Sequence, residues 1–204
     1  MKEIPQTQPH GTHEGVIQFQ LDFINDSTIP AGLEEALNAC RQSLYQKGLT
    51  GQDAQRYGGL AYGNLSLKSK LGGFLISGTQ TGGKAHLEAH DYTWVHAWDI
   101  ERNQLRAKGP CRPSSEALTH AAAYQANPEI SAVLHVHSPL LWRSAHRLGL
   151  SLTDPRIGYG TPKMAKAIEA LVHQEPLALI VMGGHEDGII ATGPRLDVTR
   201  DMLI

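Results

Sequence analysis

The stretch Pro113–Ser138, "PSSEALTHAAAYQANPEISAVLHVHS", constrains the fold more than any other part of the sequence. A serine at position 114 or 115 can cap a helix, Glu116 lies in the first turn where the helix dipole favours a carboxylate, and Pro128 closes the segment. The apolar run that follows is typical of a buried strand. A capped helix that leads directly into a buried strand predicts an α/β domain, in which helices cover the faces of a sheet.

Two histidines lie at the end of this strand, where a buried strand would ordinarily continue with apolar residues. Alternate residues of a strand share a face, so His135 and His137 point the same way while Leu134 and Val136 point to the other side. Two imidazole nitrogens on one face can bind one ion, and imidazole suits Zn²⁺ and similar divalent metals. The alternative is one hydrogen-bonded core histidine and one strand-end histidine, and the H-x-H pattern by itself favours that alternative.

A third metal ligand has to come from elsewhere in the chain. His185 lies in "MGGHEDGIIATG", a glycine-flanked loop after the apolar run Leu177–Met182, and glycines allow sharp turns and close approach to a ligand. A hairpin turn with an exposed histidine is the alternative interpretation. Glu186 and Asp187 are alternative oxygen ligands, although their loop position favours solvated charges.

Glu116 is the candidate acid/base, because a carboxylate beside a divalent ion can bind the ion or move a proton. The alternative is a first-turn glutamate that only stabilises its helix. His120 follows one helical turn later on the same face, and we interpret it as a packing residue or as support for the site.

Three short polar loops are candidate substrate-binding segments: "GNLS" (Gly63–Ser66), "SGTQTGG" (Ser77–Gly83) and "PSS" (Pro113–Ser115). Each offers backbone N–H groups and hydroxyls of the kind that bind phosphate, and the third adds a helix N-terminus. Any one of them alone is more typical of an ordinary turn. The chain has no P-loop, dinucleotide-binding or GxSxG motif, so nucleotide binding and serine-hydrolase chemistry lack their sequence signals.

The composition is ordinary for a globular protein, with 41% hydrophobic and 19% charged residues. We predict a single domain over 15–204 after a flexible polar arm at 1–14. A net charge of −2 without a basic cluster argues against nucleic acid or an anionic membrane as partner. No apolar run reaches the roughly 18 residues of a membrane span. With no secretory signal and only two distant cysteines, Cys40 and Cys111, a cytoplasmic location is expected.

In chain order, "GNLS", "LISGT", the stretch Pro113–Ser138, "GYGTPKMAKAI" and "GGHEDGIIATG" resemble the class II aldolase/adducin family. The resemblance implies a three-layer α/β/α sandwich around a mainly antiparallel central sheet, usually in a homotetramer. It also implies Zn²⁺ or another divalent transition metal. The implied site comprises metal ligands His135, His137 and His185, the acid/base Glu116, and substrate or phosphate contacts Gly63, Asn64, Thr79, Ser114 and Ser115.

The function implied is that of a metal-dependent lyase, of aldolase or dehydratase type, acting on a small sugar phosphate or hydroxy-carbonyl compound through a metal-stabilised enediolate. A non-catalytic scaffold like the adducin head and a metal-dependent sugar-phosphate epimerase are the alternatives. The scaffold is disfavoured because a protein without chemistry has no need for Glu116 together with all three histidines.

The sequence departs from the family pattern at three places. His185 is separated from the next glycine by two residues instead of preceding it directly, and no tyrosine occurs in Pro139–Ile157, where aldolases place a proton-transferring tyrosine. The nearest one, Tyr159, belongs to the "GYGTP" motif. Few residues follow Gly193, so we expect the family's C-terminal helix to be absent or short. These differences affect the aldol chemistry more than the metal site.

Overall fold

The computed structural model describes residues 16–204, and the predicted arm at 1–14 lies outside that part of the chain. Strands and helices alternate through it. The strands are β1 (Gln20–Asn25), β2 (Gly51–Gln52), β3 (Ala61–Tyr62), β4 (Asn64–Lys68), β5 (Phe74–Ser77), β6 (Tyr92–Asp99), β7 (Gln104–Gly109), β8 (Ala132–His137), β9 (Ser151–Leu152), β10 (Ala178–Val181) and β11 (Gly188–Gly193). The helices are α1 (Leu33–Gln46), α2 (Ala117–Ala126), α3 (Pro139–Leu148), α4 (Pro162–Val172) and α5 (Leu196–Asp201), with 3-10 turns at Tyr57–Gly59 and Ala89–Asp91.

One nine-stranded sheet dominates the structure, with the strand order β1-β7-β6-β5-β4-β8-β11-β10-β9. Neighbouring strands are antiparallel except at the two edges, where β1 runs parallel to β7 and β9 runs parallel to β10. Strands β2 and β3 form a separate antiparallel ribbon. The prediction of a mainly antiparallel central sheet is therefore confirmed.

Helices cover both faces of this sheet. On one face, α2 and α4 contribute Leu118 and Ile168 to a core that also contains Val133 of β8. On the other face, α1 contributes Leu37, and α3 and α5 pack over a second core that contains Leu134 of β8. The alternation of β8 between the two cores confirms the three-layer α/β/α sandwich.

Local sequence signals account for the starts of α3 and α4. The Thr161 side chain accepts a hydrogen bond from the backbone N–H of Met164 at 3.2 Å, and Pro162 occupies the first position of α4 as predicted. Ser138 caps α3 in the same way. Helix α2 differs from the prediction, because its N-cap residue is Glu116. Ser114 instead accepts a hydrogen bond from the Glu116 N–H at 3.3 Å, so the serine orders the approach to the helix and does not cap it.

The site histidines are placed by the centre of the sheet, where β8 lies between β4 and β11. Asn64 of β4 is the register partner of His135, and Gly188 of β11 is the register partner of His137. The short loops that adjoin these partners therefore converge at the carboxyl end of β8.

The structure also describes the two cysteines and the lengths of the helices. Cys40 is buried, Cys111 is half-buried, and the two do not form a disulfide. No helix within residues 16–204 combines the length and the apolar composition needed to cross a bilayer.

We expect Leu134→Ala to lower the free energy of unfolding by about 2–5 kcal/mol, because it leaves a cavity in a fully buried part of the core. The matched control is Leu140→Ala on α3, whose side chain is 72% exposed and should change stability little. Urea unfolding measures both. Equal losses for the two variants would contradict the placement of β8 at the centre of the sheet.

Candidate metal centre

Three buried histidines converge at one point, although they come from two separate parts of the chain. The ligand nitrogens of His135, His137 and His185 all lie within 4.8 Å of one another. The ring centroids of His135 and His185 are 5.0 Å apart and nearly stacked, while His137 stands edge-on to His185 at 4.8 Å. The structure thus brings together the three histidines that the sequence singled out.

Two of these rings have a protonation state that suits metal binding. The Nδ1–H of His135 donates to the carbonyl oxygen of Ile189 at 3.1 Å, and because a carbonyl can only accept, this bond leaves the lone pair on Nε2. The pKa of His137 lies well below 6.5, first because the ring is buried and then because His185, His135 and Arg56 disfavour a further positive charge. Three converging imidazoles are the protein ligand set of a His₃ zinc site, so the residues present fit a divalent ion.

A tight turn, His185–Gly188, presents the third histidine. The Gly188 N–H donates to the His185 carbonyl at 3.0 Å, and a side chain at Gly188 would place its Cβ only 2.9 Å from the His185 ring. The glycine after the two-residue spacer is therefore required by the close approach of the imidazole.

The two acidic residues of this turn behave differently. Glu186 is exposed, as predicted for a solvated charge. Asp187 is buried, and the prediction that it is solvated is wrong: its Oδ2 accepts hydrogen bonds from Arg56 Nη2 at 2.9 Å and from the Tyr57 hydroxyl at 2.8 Å. Burial is possible because these two donors replace water.

Glu116, the N-cap residue of α2, and His120 within α2 are both buried. The Glu116 Oε2 accepts a hydrogen bond from the Thr119 hydroxyl at 2.9 Å. His120 Nδ1 and Ser66 Oγ share a hydrogen bond of 2.7 Å, and Ser66 also contacts the Tyr124 hydroxyl at 2.8 Å. This polar network adjoins β8, because Ser66 is the register partner of Val133. His120 is close enough to His135 for the two rings to interact electrostatically, and its role as support for the site stays a prediction.

All five predicted substrate contacts line one small polar pocket. Its walls are Ala61, Gly63, Asn64, Gly78, Thr79, Gln80, Thr81, Gly82, Ser114 and Ser115. Backbone hydrogen bonds hold the two donor loops together, since the Thr79 N–H donates to the Arg112 carbonyl at 3.0 Å and the Ser114 N–H donates to the Ser77 carbonyl at 3.2 Å. Because Asn64 pairs with His135, the pocket adjoins the metal centre.

Arg41 of α1 supports this pocket from below, and the sequence reasoning missed it. Its buried guanidinium donates to the carbonyl oxygens of Thr81 at 2.8 Å, Gly82 at 2.7 Å and Lys84 at 2.8 Å. Carbonyls that point toward Arg41 turn the following N–H groups the other way, which fixes the loop backbone. A charged residue in an amphipathic helix gives no local signal of such a role, because most lie in solvent.

Two tyrosines border the histidines, and sequence reasoning assigned neither of them to the site. The Tyr57 ring stands edge-on to His137 with centroids 4.4 Å apart, and the buried Tyr159 ring stacks on His185 at 4.3 Å. The motif "GYGTP" drew attention to Tyr159, whereas nothing in the segment around Tyr57 is a recognisable signal.

A family model described as the Class II Aldolase and Adducin N-terminal domain matches residues 38–204. Since this range covers most of the sequence, the chain belongs to the class II aldolase/adducin family. Class II aldolases are lyases that generally depend on a divalent metal ion.

Individual relatives agree with this assignment. A 3-oxo-tetronate 4-phosphate decarboxylase of Haemophilus influenzae is 34% identical over 101 residues, which are 49% of this chain and 40% of that protein. The match thus spans less than half of the curated relative. Among solved structures, YgbL of Klebsiella pneumoniae superposes with a TM-score of 0.62 at 21% identity, covering 86% of this chain and 84% of its own. An L-fuculose 1-phosphate aldolase gives 0.60 at 20% identity, covering 86% and 81%. At these identities the structural matches show the shared fold.

The buried His120 predicts a loss of stability in acid. Burial is the main cause that lowers the pKa of His120 well below 6.5, and the nearby His135 adds to it. Below about pH 6.5 this histidine is therefore protonated in the unfolded chain but stays neutral in the folded chain. This contribution is fully present above about pH 6.5 and decreases on acidification by up to about 1.4 kcal/mol per pH unit. We expect metal-free protein to lose stability between about pH 7.5 and 5.5, and His120→Asn to lose less over the same interval. Urea unfolding at the two pH values measures both, and equal losses would contradict the role of His120.

Proposed function

We propose that this protein is a Zn²⁺-dependent lyase that acts on a small, phosphorylated hydroxy-carbonyl compound. The observation that carries the proposal is the convergence of three buried histidines beside a polar pocket that contains all five predicted substrate contacts. A buried carboxylate, Glu116, starts the helix that borders the same pocket. Family membership supports the class of reaction.

Each group in the site has a distinct task in this proposal. A divalent ion bound by His135, His137 and His185 would supply Lewis-acid stabilisation for negative charge that develops on the substrate's oxygen atoms. The backbone and hydroxyl groups of the pocket bind the phosphate and so fix the substrate's orientation. Glu116 carries the proton at the reacting carbon, and its hydrogen bond from Thr119 orients the carboxylate.

The bond that breaks is best assigned to a carbon–carbon bond. The Haemophilus influenzae relative is named as a decarboxylase of a 3-oxo acid phosphate. Loss of CO₂ from a 3-oxo acid and aldol cleavage both leave negative charge on a carbonyl oxygen, so one site serves either reaction. Dehydration and epimerisation need the same stabilisation and remain the alternatives, which the products distinguish.

A scaffold like the adducin head is the alternative from a different class. Buried imidazoles that converge without a function would cost stability, because each must be desolvated. We also propose a homotetramer in the cytoplasm, which sedimentation of the purified protein and fractionation of cells test separately.

Removal of two ligands should abolish metal binding. We expect purified wild-type protein to retain a divalent ion and His135→Ala/His137→Ala to lose it, because one remaining imidazole cannot hold Zn²⁺. The control is His146→Ala, an exposed histidine on α3. Elemental analysis after metal reconstitution is the measurement. A wild-type protein that binds none of Zn²⁺, Mn²⁺, Co²⁺ and Fe²⁺ would refute the proposal of a metal-dependent enzyme and favour the non-catalytic scaffold.

Glu116→Gln should lower turnover by about 10²–10⁴-fold, because the amide cannot carry the proton. The substrate is first found by a screen of phosphorylated and unphosphorylated ketoses and 3-oxo acids with added metal, with detection of CO₂, carbonyl fragments and dehydrated product. Glu129→Gln, an exposed carboxylate after α2, is the control and should leave turnover unchanged. Full activity of Glu116→Gln, with metal content intact, would exclude Glu116 as the proton carrier.

A further inference from the structure

We propose that Tyr57 is a positioning residue of the metal centre, which fixes two of the three histidine ligands from outside the sheet. The inference rests on the metal site of the proposed function. Tyr57 lies in a 3-10 turn in the segment between β2 and β3. No sequence motif indicated that this turn contacts the histidines.

The first contact is between rings. Tyr57 stands edge-on to His137, with centroids 4.4 Å apart and an interplanar angle of 74°. Tyr62 packs against both, 5.1 Å from Tyr57 and 5.2 Å from His137. Aromatic neighbours on two sides restrict rotation of the imidazole, and ring orientation decides where its nitrogen lone pair points.

The second contact reaches the turn that carries His185. The Tyr57 hydroxyl donates to Asp187 Oδ2 at 2.8 Å, and Arg56 Nη2 donates to the same oxygen at 2.9 Å. The Asp187 carbonyl in turn accepts a hydrogen bond from the Ser138 N–H at 2.8 Å, directly after His137. Asp187 therefore ties the turn of His185 to the end of β8, and Tyr57 holds the side chain of Asp187.

Backbone conformation supports a role beyond packing. Tyr57 has φ 51° and Asp187 has φ 60°, so both ends of this hydrogen bond lie in the left-handed region that is uncommon outside glycine. For an aromatic residue this conformation is unfavourable and persists only where the surroundings enforce it. The surroundings of Tyr57 include its contacts with His137, Asp187 and Arg56.

A purely structural role would make a different prediction. If Tyr57 only anchors the segment 53–60, its loss lowers stability but leaves the affinity and coordination geometry of a bound metal as they are. If it positions the ligands, the metal itself reports the change, because residues behind metal ligands typically alter affinity by about 10–100-fold.

The test compares Tyr57→Phe and Tyr57→Ala with the wild type, using Zn²⁺ affinity against a competing chelator and the visible spectrum of the Co²⁺ form. We expect Tyr57→Phe to weaken Zn²⁺ binding by about 10-fold, since Asp187 loses a donor while the ring stays, and Tyr57→Ala by up to about 100-fold with an altered Co²⁺ spectrum. Tyr45→Phe on α1 is the matched control. Urea unfolding verifies that each variant is folded at the assay temperature.

Two further variants test the route through Asp187. Asp187→Ala removes the acceptor, whereas Asp187→Asn keeps an oxygen that accepts from Tyr57, so the asparagine variant should bind Zn²⁺ more tightly than the alanine variant. Adding Tyr57→Phe to Asp187→Ala should cost little more, because both changes remove the same hydrogen bond.

Unchanged Zn²⁺ affinity and an unchanged Co²⁺ spectrum in both Tyr57 variants would overturn the inference while the proposed function stands. A wild-type protein that binds no metal would overturn both. Equal weakening by Tyr45→Phe would also refute a specific role for Tyr57.

Discussion

The pairing of β8 with β4 on one side and β11 on the other is the interaction on which the rest of the structure depends. Its register places Asn64 beside His135 and Gly188 beside His137. A shift by one residue would turn both histidines toward the opposite core. The same hydrogen bonds that build the centre of the sheet therefore bring the substrate pocket and the turn of His185 to one place.

Burial gives the site its chemical character. His137 stays neutral because burial disfavours imidazolium and lowers its pKa, and His185, His135 and the cationic Arg56 add to this effect. The interior accepts these polar groups because many of them are hydrogen-bonded, as in the network of Ser66, His120 and Tyr124. Burial thus supplies the environment that a set of three histidine ligands requires.

Sequence reasoning succeeded where the signal was local. The cap at Thr161 and the alternation of β8 follow from residues close together in the chain. It failed at the start of α2, where Ser114 accepts a hydrogen bond from the Glu116 N–H and does not cap the helix. It also failed at Asp187, which is buried because Arg56 and Tyr57 donate hydrogen bonds to it in place of water. In both cases the partner that decided the outcome could not be read from the local pattern.

The sequence by itself determined the α/β architecture and the two histidines on one face of a strand, and it placed His185 in a glycine-flanked loop. These features depend on the periodicity of strands and on backbone conformations that particular residues permit. Only the tertiary structure decided that Arg41 supports the pocket and that Tyr57 contacts Asp187, 130 positions away. Such contacts carry no local pattern, because they exist only after the sheet has brought distant segments together.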